Sequence, residues 1–121
     1  MSNINGKINY CVYIGDTFKA TLKIEQAGTI VDVSTYTFKM QIRSCKDSSV
    51  IIHELNSPTP ASGIDTSNGT NGIIVLNISS TDTLTFSEQN AVYDLFWIDN
   101  AGEVKTIEKG NFQILERITK N

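Results

Sequence analysis

The sequence is poor in the residues that most chemistry needs. Among 121 residues there are one histidine, two cysteines, two prolines and one tryptophan. A single imidazole excludes a metal centre that needs more than one histidine ligand. His53 stands in a strand-like stretch, which suits an edge or surface residue better than a general base. Cys11 and Cys45 fit no zinc or redox spacing, so they read as buried free thiols. A bridge between neighbouring strands stays open if the geometry allows it. No two basic residues are adjacent and the net charge is −3 with a pI near 5.0, which argues against nucleic acid as a partner. Apolar runs such as IIVL at 73–76 fall far short of the ~20 residues that span a bilayer. The first ten residues, MSNINGKINY, have no apolar core of a signal peptide, so no membrane partner is expected, and the chain is expected either to be made in the cytosol or to lose a leader outside this sequence.

Glycine-rich phosphate loops are missing too. The stretch from Asp65 to Gly69 (DTSNG) lacks the longer acidic array, ending in Glu, of a calcium loop. Asp94 and Asp99 flank the tryptophan, and paired carboxylates do acid–base work. Asp99, however, begins Asp99-Asn100-Ala101-Gly102, which is ordinary turn chemistry. These absences predict a protein that is not an enzyme and holds no cofactor and no metal.

What the chain has is alternation. Thr, Ser, Asn, Ile and Val are plentiful, which favours strands and polar loops. Residues 91–99 (AVYDLFWID) place Ala91, Tyr93, Leu95 and Trp97 on one face, and Val92, Asp94, Phe96 and Ile98 on the other. The first face is wholly apolar, as in a central strand that holds two sheets together. Residues 17–25 alternate strictly, with Phe18, Ala20, Leu22 and Ile24 opposite Thr17, Lys19, Thr21, Lys23 and Glu25. Residues 36–44 repeat the pattern with Tyr36, Phe38, Met40 and Ile42 inward. Further strands are predicted over 8–14, 30–33, 50–55, 73–78, 103–108 and 111–118, with a bend or bulge at Gly110. Residues 79–88 suit one helical turn capped by Ser80 or Thr81.

The predicted fold is an all-β, antiparallel, immunoglobulin-like β-sandwich of seven to nine strands with at most one helical turn. Its core is expected to hold Phe18, Leu22, Phe38, Ile42, Leu76, Tyr93, Leu95, Trp97, Phe112 and Ile114. Residues 1–7 read as a flexible arm before a single domain over 8–121. Residues 56–72, with both prolines and three of the eight glycines, read as a long surface loop.

Several pieces in fixed order carry a resemblance. They are Gly15-Asp16-Thr17-Phe18, then Gly28-Thr29-Ile30-Val31-Asp32-Val33-Ser34 with Phe38-Lys39-Met40-Gln41-Ile42-Arg43 after it. Gly72-Ile73-Ile74-Val75-Leu76 leads through Thr83-Leu84 to Tyr93-Asp94-Leu95-Phe96-Trp97. Asn100-Ala101-Gly102 and Lys109-Gly110-Asn111-Phe112-Gln113-Ile114 close the series. The order resembles the N-terminal immunoglobulin-like domain of upper baseplate proteins, and small head- or tail-associated proteins, of tailed bacteriophages. It spans about 12–119, although residues 44–71 match nothing in it. The resemblance implies a virion protein present in many copies that binds capsid, tail or baseplate proteins, and its expected contacts are assigned by position: Asn3 and Ile4 in the arm, Pro58, Pro60 and Ile64 in the long loop, and Phe96 on the central strand. A carbohydrate- or surface-binding module is the alternative, with Tyr10, Tyr13, Tyr36 and Phe96 as a stacking platform.

Overall fold

The strand patterns above condense into two facing sheets and a small hairpin. The computed structural model describes residues 6–57 and 63–119, so Asn3, Ile4, Pro58 and Pro60 lie outside the described residues. The strands are β1 (Gly6–Lys7), β2 (Tyr10–Tyr13), β3 (Phe18–Lys23), β4 (Glu25–Gln26), β5 (Thr29–Ile30), β6 (Thr37–Arg43) and β7 (Ile51–Asn56). They continue with β8 (Ile64–Asp65), β9 (Ile73–Ile78), β10 (Gln89–Ile98) and β11 (Val104–Leu115), and one short helix, α1, covers Ser80–Thr83. One sheet runs β1-β11-β10-β6-β7, with β2 also on β11, and the other runs β3-β9-β8. The hairpin β4–β5 turns through Ala27 and Gly28, both at positive φ. The chain is an all-β sandwich, antiparallel except where β1 and β2 join β11 in parallel and at an isolated parallel bridge between Asn56 and Gly63. Its eleven strands exceed the seven to nine expected, because the two-residue strands β1, β4, β5 and β8 are too short to show a period.

Strand β10 is the middle strand of the larger sheet, as its two apolar faces require. Ala91, Tyr93, Leu95 and Trp97 are buried, and the residues between them are half-buried or exposed. Phe18, Leu22, Phe38, Ile42, Leu76, Phe112 and Ile114 are buried as well. The sheets are joined by rings at a 5.4 Å edge-on contact of Tyr10 with Phe18 and a 5.1 Å contact of Phe18 with Phe112. Tyr36 caps the other end, edge-on to Trp97 at 5.0 Å.

Several expectations are corrected. Residues 56–72 are not one loop: β8 pairs Ile64 with Leu76 and Asp65 with Val75, and a 3-10 turn follows at Gly69–Asn71. Ile64 is therefore no contact residue but a fully buried core side chain. Gly69 explains why this stretch stays close, because a Cβ there would meet the Ser34 backbone at 2.9 Å. The arm ends earlier than residue 7, since Gly6 and Lys7 already pair with Glu108 and Lys109. The stretches 103–108 and 111–118 are one twelve-residue strand, β11, whose register shifts opposite Leu95 and Phe96 rather than at Gly110. Finally, Cys11 and Cys45 are exposed free thiols, not buried ones.

The helical turn forms where Ser79, not Ser80 or Thr81, accepts from the Asp82 amide at 3.1 Å. Thr83 on this turn is fully buried and ties it to the β2–β3 connection. Its hydroxyl donates to the Asp16 carbonyl at 2.8 Å and accepts from the Gly15 amide at 3.0 Å.

Candidate contact face

The outer face of the larger sheet is built by the side chains that alternation turns away from the core. Register fixes its rows. Thr37, Ile98 and Val104 form one, and Lys39, Phe96 and Thr106 the next. Gln41, Asp94, Lys109 and Lys7 form a third, and Arg43, Val92 and Asn111 a fourth. Solvent reaches this face at Thr37, Asp94, Ile98, Thr106, Lys109 and Asn111, while Val92, Phe96, Lys39, Gln41 and Arg43 are half-buried among their sheet neighbours. Val104 is 63% exposed and Ile98 38%, with Phe96 half-buried beside them. Apolar side chains thus mark one end of the face, and charged ones the other.

The charged end is a half-open concavity of about 340 Å³ between β1, β11, β10 and β6. Val92 and Gly110 lie among its lining residues, with Lys7, Lys109, Arg43 and Lys46 around them and Asp94 the lone acid. Arg43 is held by the protein itself. Its Nη2 donates to Gln41 Oε1 at 2.7 Å, and its Nη1 donates to the Ser48 carbonyl. Gln41 in turn donates to Glu54 Oε2 at 2.7 Å. Hydrogen bonds from Asn56 first, and Gln41 second, hold the Glu54 carboxyl below the usual carboxylate range.

Among the described residues the core behind this face carries one charged side chain. Glu108 points inward opposite Leu95 and is buried. Tyr10 donates to its Oε1 at 2.6 Å, and the Tyr93 hydroxyl lies 2.9 Å from the same atom and 2.7 Å from the Ile8 carbonyl. Burial first, and Glu108 second, push both phenols above their ordinary range. The cluster pins the N-terminal strands to β11, and with neither phenol ready to ionise it does structural work. Sequence reading missed Glu108, because nothing near it in the chain announces the two hydroxyls.

A second concavity of about 570 Å³ opens between the sheet edges, lined by Thr17, His53, Asn77, Ser79 and Asp82 among others. His53 is half-buried there, with its ring edge-on to Phe86 at 5.7 Å. Burial lowers its pKa from the ordinary 6.5, against an opposing pull from Asp82. The unfolded chain therefore holds the proton more tightly. The His53 contribution is whole above pH 6.5 and is lost as pH falls below it. His53→Gln is expected to flatten the fall in urea midpoint between about pH 7.5 and about pH 5.5. An unchanged slope in the variant would assign that fall to other groups.

The remaining candidates disperse. Asp99 Oδ1 accepts from the amides of Ala101 and Glu103 at 2.9 and 3.0 Å, and Asp94 is on the outer face, so the two carboxylates do not converge. Asp65 Oδ1 accepts from the Ser67 amide at 2.9 Å. Among the described residues no three His, Cys, Asp or Glu side chains gather into a metal-binding group. The stacking platform is not assembled either. Tyr10 and Tyr36 pack on core rings, while Tyr13 pairs with Leu115 and Phe96 with Thr106. Those two β11 positions are about 30 Å apart at about 3.3 Å per residue.

No protein-family model matches the chain, and no curated protein does. Among solved structures, CopC from Methylosinus trichosporium OB3b is similar at a TM-score of 0.40 and 10% identity, covering 69% of this chain and 67% of that one.

Proposed function

We propose that this protein is a structural component of a tailed-bacteriophage particle, present in many copies on the head or on the tail and baseplate, and acting by protein–protein contact. The observation that carries the reading is the uncovered outer face of the larger sheet, where Phe96, Ile98 and Val104 adjoin a charged concavity. A sandwich that seals its core and still exposes apolar side chains such as Ile98 and Val104 on an outer sheet face is suited to packing against neighbours. The particle class comes from the resemblance over residues 12–119, and its glycines Gly15, Gly28, Gly72 and Gly102 take the positive φ that turns of any such sandwich require. Many weak contacts of this kind add up when copies are arrayed.

Mass spectrometry of purified virions tests the reading. The chain is expected in the particle at several copies relative to a single-copy structural protein. Its absence from purified particles overturns the proposal.

A further inference from the structure

The structure points to a ligand for the charged end of this face. We infer that the concavity formed by Lys7, Arg43, Lys46 and Lys109 binds a short acidic segment of a partner protein. The inference rests on the reading of this sheet face as a contact surface, and it supplies the partner's chemistry.

Four of the ten basic side chains line this one concavity against one of the thirteen acidic ones. Six basic and twelve acidic side chains are left for the rest of the chain, so the positive charge is concentrated against the protein's overall sign. The four cations come from separate stretches: β1, the end of β6, the turn after it, and β11. Lys7 and Lys109 are register partners on adjacent strands, and the single carboxylate in register beside them, Asp94, leaves the row with excess positive charge. Elsewhere Lys23, Lys39 and Arg117 pair with Glu25, Glu54 and Asp16, while these four cations make no ion pair among the described residues. Arg43 is already oriented by Gln41 and Ser48, so little side-chain freedom is lost when an anion arrives.

Shape and surroundings select the ligand class. Cations flank β10 on both sides, two strand spacings of about 4.8 Å apart. An extended peptide repeats side chains on one face every ~7 Å, so two carboxylates at alternate positions reach both flanks. Asp94 is then left to accept a donor from the peptide, such as a backbone amide. A nucleic acid strand fits worse, because its phosphates continue beyond the patch onto the row of Thr37, Ile98 and Val104, which offers no cation. A small phosphate compound finds no enclosed pocket here, since the concavity is half-open.

The test uses an acetylated and amidated hexapeptide of alternating glutamate and serine, titrated into isotope-labelled protein and followed by amide chemical shifts. Binding is expected to move the Val92, Asp94, Lys109 and Asn111 amides and to weaken as salt is raised from about 20 to about 300 mM. The double reversal Lys7→Glu with Lys109→Glu should weaken it about tenfold, and Lys19→Glu on the other sheet should leave it unchanged. Lys46→Glu, in a turn outside the strands, gives the same direction if the double variant does not fold. No binding at low salt overturns the inference, as do equal affinity in the reversed variants and tighter binding of a thymidine hexanucleotide. If the peptide binds this face while virions lack the protein, the particle assignment falls and the acidic-segment site stands.

Discussion

Phe112→Ala should remove about 3–5 kcal/mol of folding stability, the range for truncating a buried aromatic ring. Phe112 is fully buried and lies where four rings meet. Its ring centroid is 5.1 Å from Phe18 and 6.3 Å from both Tyr10 and Tyr93. Phe18 belongs to the smaller sheet and the other three to the larger, so the ring is part of the joint between sheets. Removing it leaves a void that neighbours fixed on three strands cannot close. A lowered urea midpoint at constant slope is the expected readout. A loss under about 1 kcal/mol would show that the joint collapses around the gap.

Gly110→Ala should cost about 3 kcal/mol by a different route, overpacking against backbone. A Cβ at Gly110 would stand 2.0 Å from the Ile8 carbonyl oxygen and 2.8 Å from its carbon. That carbonyl is also within 2.7 Å of the Tyr93 hydroxyl, so a shift of residue 8 breaks the polar cluster at Glu108. The damage should therefore begin at the N-terminal strands. The Ile8 and Ile14 amides, which donate to the Lys109 and Leu115 carbonyls at 3.0 and 2.8 Å, should exchange much faster in the variant. Amides of β9, on the other sheet, should keep their protection relative to the variant's global stability. Unchanged exchange at Ile8 would mean that the carbonyl moves aside freely.

The two predictions lie on opposite sides of what the sequence reveals. Phe112 is legible because it continues a period-2 pattern beside Ile114, and period 2 dictates which side chains share a face. The same logic makes Tyr93, Leu95 and Trp97 legible, along with the whole inward row of β3. Gly110 stands out in the sequence, but not for what it does. A glycine in a strand signals either a bulge or a close approach, and only the position of Ile8, 102 residues earlier, decides between them. Ile64 was hidden by its surroundings, since a two-residue strand inside a stretch rich in Ser, Thr and Gly shows no periodicity. The contact face was half legible. Val92, Phe96 and Ile98 follow from alternation, but the basic concavity draws on four stretches that only the sheet order brings together.

The parallel pairing of β1 and β2 with β11 also sets an order of events during folding. Tyr10 must wait for Glu108, 98 residues later, before its hydroxyl finds an acceptor. Closing so long a loop is entropically costly and slow compared with forming the β10–β11 hairpin. On a chain made from its N-terminus, the first strand is thus the last to be seated. Until then the outer edge of β11 stands open, and β1 and β2 are left exposed to other strands.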